Sequence, residues 1–87
     1  MTRISPFGRS YPLGATILPD GVNFSLYSRS ATGVDLLLFD AAEARRPSRT
    51  IRLDPVRNRT GDYWHAFVEN AEAGQLYAYR VYGPHDP

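Results

Sequence analysis

Gly21-Val22-Asn23-Phe24-Ser25-Leu26-Tyr27-Ser28, followed after a short Ser/Ala/Thr/Gly turn by Val34-Asp35-Leu36-Leu37-Leu38-Phe39-Asp40, decides the fold of this chain. In the first run Val22, Phe24 and Leu26 alternate with Asn23, Ser25 and Tyr27, the period of two that marks a strand with unlike faces. The second run is nearly continuously apolar, with Val34, Leu36 and Leu38 facing one way and Leu37 and Phe39 the other. Such a strand is covered on both sides and belongs in the middle of a sheet.

The same pattern extends outward from these two runs. Thr16-Ile17-Leu18 reads as a short strand closed by the turn Pro19-Asp20-Gly21. Before it, residues 1–14 carry Pro6, Gly8, Pro12 and Gly14, which interrupt any regular element. Phe7 and Tyr11 are large apolar groups in that loop and need a surface to pack on. Ala41 to Arg46 has helix propensity but is stopped by Pro47 and is too short to hold a helix alone, so a loop with one turn is expected. Thr50 to Leu53, Tyr63 to Val68 and Leu76 to Tyr82 alternate again; the last puts Tyr77, Tyr79 and Val81 on one face. Six or seven short strands, or more, with frequent turn signals and no helix, predict an all-β, immunoglobulin-like antiparallel β-sandwich over residues 15–87, preceded by an irregular N-terminal loop, 1–14.

A chain of 87 residues makes one domain. At this size folding buries roughly 60–65% of the surface the unfolded chain exposes, enough for one modest core. Aromatic residues reach 13%, and seven Gly and seven Pro accompany them, a composition that favours strands and turns. There is no Cys, which excludes a disulfide framework and a thiolate metal site and agrees with a reducing, cytoplasmic location. The N-terminus lacks the apolar stretch of a signal peptide, and no run approaches the ~20 apolar residues of a membrane span. Asn58-Arg59-Thr60 has the form of a glycosylation sequon and is read as a turn.

The formal net charge is +1 and every positive side chain is Arg. Arg45, Arg46, Arg49, Arg52, Arg57 and Arg59 face only Asp54 in their interval. No aromatic residue interleaves them as a single-strand nucleic-acid binder requires. They read as an edge strand and its loops kept soluble by charge, and neither nucleic acid nor a membrane is expected as a partner.

Catalytic chemistry is not legible. The two histidines, His65 and His85, lie far apart, and neither a metal site nor a nucleophile–base pair forms around them. His65, mid-strand, is expected to be a hydrogen-bonded or surface imidazole, and His85 a solvated residue of the tail. A glycosidase needs two carboxylates about 5–9.5 Å apart, one with a raised pKa. Here Asp20, Asp54 and Asp62 sit in turns, Asp40 ends a strand, and Glu69 and Glu72 flank a turn. Asp35, mid-strand, is expected to point out at an edge or to pair with an Arg. No phosphate loop is present, and no cofactor is expected. The remaining candidates are aromatic rings able to stack on the apolar faces of sugars: Tyr63, Trp64, Tyr77, Tyr79 and Tyr82. Trp64 reads as core, and Tyr82, at the end of the last strand, is the ring best placed for exposure and for carbohydrate.

Several blocks of the chain, in order, resemble one family. Tyr11-Pro12-Leu13-Gly14-Ala15-Thr16, Asp20 to Ser28, Leu36 to Asp40, Asn58 to His65 and Tyr77 to Pro84 together resemble the N-terminal domain of isoamylase and bacterial glycogen debranching enzymes, carbohydrate-binding module family 48. The segment Leu26-Tyr27-Ser28-Arg29-Ser30-Ala31 is closer to this debranching group than to the Trp-Ala-Pro wording of branching enzymes. The resemblance implies an immunoglobulin-like sandwich without catalytic residues of its own. It also implies, as partner, a following (β/α)8 barrel that hydrolyses α-1,6-glucosidic bonds. Glycogen-binding members, such as the regulatory subunit of AMP-activated kinase, resemble a pattern with two stacking Trp residues; Ala41 to Ala44 and His85 to Pro87 stand in those places here. The expected role is an accessory domain that docks on its barrel through Phe7, Tyr11 and Leu13 and helps form a glucan cleft. An independent α-glucan-binding module and a structural or protein-interaction sandwich remain the alternatives.

Overall fold

The computed structural model describes residues 7–83. The tail around His85 and the first six residues of the N-terminal loop lie outside that range. Seven strands are present: β1 Gly14–Leu18, β2 Gly21–Tyr27, β3 Gly33–Phe39, β4 Arg49–Arg52, β5 Arg59–Thr60, β6 Tyr63–Glu69 and β7 Leu76–Tyr82. They form a four-stranded sheet in the order β1-β2-β6-β5 and a three-stranded sheet in the order β4-β3-β7. All pairings are antiparallel, and the described residues contain no helix. The expected sandwich is what the chain forms, and the segment after Asp40 is a loop with a turn at Ala42 and Glu43.

The period-two alternation explains the core. Val22 and Phe24 of β2 and Trp64, Ala66 and Val68 of β6 face inward from one sheet; Val34, Leu36 and Leu38 of β3, with Leu53, face them from the other. Fully burying a side chain such as Phe24, Leu36 or Leu53 contributes about 1.5–3 kcal/mol. Tyr77 adds its ring edge-on to Phe24 at 4.8 Å and lies 5.8 Å from Tyr79. Val34 to Leu38 are all buried, and β3 is central as its apolar run requires. β4, with exposed Arg49 and Arg52, is the arginine-bearing edge strand anticipated above.

The N-terminal loop finds its surface on the four-stranded sheet. Asn23 and Ser25 are outward-facing and polar, yet both are buried, because residues 7–10 lie across them. The Asn23 amide bonds both backbone groups of Arg9: the Arg9 N–H donates to Oδ1 at 2.9 Å and Nδ2 donates to the Arg9 carbonyl at 3.0 Å. Ser25 Oγ donates to the Ser10 carbonyl at 2.7 Å. His65 Nδ1 donates to the Phe7 carbonyl at 2.5 Å, and since a carbonyl only accepts, that nitrogen carries the proton; Nε2 meets the Thr60 hydroxyl at 2.8 Å. His65 is thus the hydrogen-bonded imidazole expected, now with its partners named. Gly8 permits the approach. Its φ is +71°, and a Cβ there would sit 2.6 Å from Asn23 Oδ1 and 2.7 Å from the Ala66 carbonyl carbon.

Candidate functional site

The outer face of the three-stranded sheet gathers the most functional side chains. The antiparallel register puts Asp35 of β3 between Arg52 of β4 and Arg80 of β7. Tyr82, two residues beyond Arg80, shares their face by strand alternation. Asp35 is buried although β3 is flanked on both sides, so it pairs with arginine at the centre of a sheet rather than at an edge. Arg52 donates Nε to Oδ1 and places Nη2 3.4 Å from Oδ2. The Tyr82 hydroxyl donates to Oδ2 at 2.8 Å, and Arg80 Nη1 lies 3.9 Å from the same oxygen. Burial alone pushes this carboxyl upward, but the bonds from Arg52 and Tyr82 and the two nearby guanidinium charges outweigh it and hold Asp35 below its ordinary value. A carboxyl kept ionised in this way stabilises its neighbours and cannot act as a general acid near neutrality.

The Arg52 guanidinium also lies over the Tyr82 ring, 4.9 Å from its centroid. Tyr82 is half-buried, with its hydroxyl engaged and one face covered. The outermost layer is therefore two exposed guanidinium groups and the remaining surface of one ring, a face rich in hydrogen-bond donors.

The other residues singled out in the sequence are dispersed. Phe7 is half-buried on the opposite sheet, its carbonyl bonded to His65 and its ring beneath Arg57 at 5.8 Å. Tyr11 and Leu13 stand out from the loop at 67% and 58% exposure, with the Arg9 guanidinium 5.4 Å over Tyr11. Trp64 is wholly buried, with Arg59 4.9 Å over its ring. The Tyr79 hydroxyl is buried with no hydrogen-bond partner among the described residues, and burial drives its pKa far up. Tyr63 packs edge-on to Tyr27 at 5.2 Å. Asn58 is buried, donates to the His65 carbonyl and accepts at Oδ1 from the Asp54 N–H, which closes a turn over 55–58; Arg59 and Thr60, expected to belong to that turn, instead form β5, because they pair with Trp64 and Tyr63 of β6. Among the described residues no group of three or more His, Asp or Glu side chains could hold a metal ion.

The reading by residue identity missed Asp35, Arg52 and Arg80 as companions of Tyr82. Parity along β7 joins Arg80 to Tyr82, but only the strand register adds the other two.

The family described as carbohydrate-binding module 48, the isoamylase N-terminal domain, matches residues 12–87. This chain belongs to that family. The module is 48% identical over 87 residues to a glycogen debranching enzyme of Serratia proteamaculans, a match that takes in the whole of this chain and 12% of that protein. It is 45% identical over 83 residues to the chloroplastic isoamylase 1 of Oryza sativa subsp. japonica, covering 90% of this chain and 10% of the relative. The module thus spans about a tenth of these curated relatives. Among solved structures it resembles a pullulanase from Paenibacillus barengoltzii in complex with maltohexaose and alpha-cyclodextrin. There the TM-score is 0.72 and the identity 20%, over 90% of this chain and 12% of that one. A pullulanase from Bacillus acidopullulyticus gives a TM-score of 0.73 at 18% identity, over 93% and 10%. At these identities the two pullulanases report on the sandwich fold alone.

Proposed function

We propose that this module is the non-catalytic N-terminal accessory domain of a debranching-type glycoside hydrolase, with hydrolysis of α-1,6-glucosidic bonds carried by a catalytic barrel elsewhere in the polypeptide. The observation that carries this reading is the pairing of 48% identity to a debranching enzyme with coverage of only 12% of it. The chemistry agrees, since Asp35, the one buried carboxylate among the described residues, is held ionised by arginines and Tyr82 rather than poised as an acid. Tyr11 and Leu13, the exposed apolar part of the N-terminal loop, fit a docking role. Phe7 fits the anchoring of that loop to the sandwich.

The test replaces the matching segment of the Serratia enzyme with this chain. The chimera is expected to release linear chains from glycogen, and the 87-residue chain alone to release none. A chimera that folds but has no debranching activity would sink the proposal.

Tyr82, with the donors of Arg52 and Arg80 beside it, favours a second reading in which the module itself holds α-glucan. In an NMR titration with maltoheptaose, shifts should concentrate at Arg52, Arg80 and Tyr82. Their absence at millimolar sugar would end that reading.

A further inference from the structure

The two sheets do not match in width, and the mismatch leaves one flank uncovered. β7, an edge strand, lies over β2, as the Phe24–Tyr77 contact shows, so β1 extends beyond the three-stranded sheet. By register Ala15 lies opposite Phe24 and Ile17 opposite Val22, which puts both on the inward side of β1. Inward side chains of a sandwich are normally core. Here Ala15 is exposed and Ile17 is 62% exposed. Across the opening, Tyr77 and Val81, on the inward side of β7, remain 38% and 39% exposed. Among the described residues the flank is thus a strip of core-type side chains with no facing layer, bounded by two strands that have no strand partner on their outer edges. The opposite flank differs: there β4 exposes Arg49 and Arg52, and Ile51 packs against the core.

We infer that the β1–β7 flank is the face on which the rest of the debranching-enzyme polypeptide sits; this rests on the accessory-domain reading above. Three observations name that occupant. The family is the N-terminal domain of isoamylases, and this module makes up only 10–12% of the curated relatives, so nearly all of such a polypeptide follows it. β7 is the last strand of the module and one wall of the flank, so in such a polypeptide the chain after the module starts from the end of that wall, next to Val81. The exposed apolar residues of the loop, Tyr11 and Leu13, run directly into β1, the other wall. Apolar along its inward strip and open-edged, with Arg80 of β7 turned to the outer face beside Asp35, the flank fits an apolar surface of a tethered domain. A solvent-facing edge is instead protected by charge.

The chimera with the Serratia enzyme tests this by calorimetry and amide hydrogen exchange. The unsubstituted segment is expected to melt together with the rest of the chimera, and its β1 and β7 amides to exchange more slowly than in the isolated chain, with β4 unchanged. Ile17→Ser with Val81→Ser should split off a separate transition at the melting temperature of the isolated chain. That isolated melting temperature should itself move by no more than about 4–8 °C, because the two partly exposed positions together cost about 1 kcal/mol at most. Arg49→Ser with Arg57→Ser, on the other flank, should leave the joint transition intact. If the unsubstituted segment melts apart from the rest, the accessory-domain reading itself fails. If it melts with the rest and the Ile17/Val81 variant does not uncouple it, or if exchange slows at β4 and not at β1 and β7, only this face is wrong. A dimeric 87-residue chain made monomeric by the same two substitutions would assign the flank to a second copy and overturn the proposal.

Discussion

On the outer face of the four-stranded sheet, Asn23, Ser25 and His65 spend their hydrogen bonds on the backbone of residues 7–10. On the outer face of the three-stranded sheet, Asp35 is answered by the side chains of Arg52, Tyr82 and Arg80. Both faces bury polar groups, and both satisfy them. The first does so with a segment that lies 14 to 58 residues away in sequence and contributes no side chain to these bonds. The second does so with neighbours on adjacent strands whose heads stay in water. A backbone strap makes the covered face insensitive to which side chains the strap carries, Gly8 excepted, but wholly dependent on its path. A charged cluster tolerates loss of any one exposed arginine and depends on the ionisation of one carboxylate.

The substitution with the largest expected effect breaks the strap. Gly8→Ala forces a left-handed backbone on a residue with a Cβ and drives that Cβ into Asn23 Oδ1 and the backbone at Ala66 and Phe67. Either strain or release of the strap should cost about 3 kcal/mol in urea unfolding. Released, it would also speed exchange of the Arg9 amide, so wild-type stability with an unchanged Arg9 amide would refute the strap.

Asp35→Asn comes next and probes the other face, with an expected loss of about 1–2 kcal/mol at neutral pH, reduced because Arg52 and Arg80 can turn back to solvent. The folded carboxyl titrates below its unfolded value. As pH falls below about 4 the unfolded chain therefore takes up the proton first, and the contribution of Asp35 drains away. In parallel denaturation curves the stability gap between wild type and Asp35→Asn should be constant above about pH 5 and narrow progressively as pH is lowered below about 4, the unfolded carboxyl's value; a gap that stays constant into the acid range would contradict the assigned ionisation.

The smallest effect distinguishes the faces most finely. Ser25→Ala removes one bond to the Ser10 carbonyl and should cost about 1 kcal/mol, equally at pH 7 and at pH 3. A pH-dependent loss there would mean that the two faces are not independent.

Much of this was legible in the residues. The alternation at Val22, Phe24 and Leu26 and the apolar run at Val34 to Phe39 specify strands and their inward sides, because a pleated strand turns successive side chains to opposite faces. The placement of Trp64 in the core followed from the same rule, and the edge role of the arginine-bearing β4 from its charge. Asn23 and Ser25 followed that rule in direction but not in burial. Their alternation marks an outer face, and alternation carries no information about a distant segment lying on top of it. Asp35 shows the same limit. Its sequence neighbours suggest an arginine partner, yet the identities Arg52 and Arg80 depend on two strand registers set by loops.

What the sequence determined by itself was an antiparallel sandwich of six or seven short strands and the family, since both rest on local periodicity, turn chemistry and the wording of contiguous blocks. What only the tertiary structure decided was which sides of that sandwich are closed: the face sealed by residues 7–10, the face knotted around Asp35, and the flank left open at Ile17 and Val81. The physical reason is that a strand's pattern fixes which way a side chain points, whereas its burial depends on the relative width and offset of two sheets and on the path of a loop. Those are properties of pairings between residues far apart along the chain.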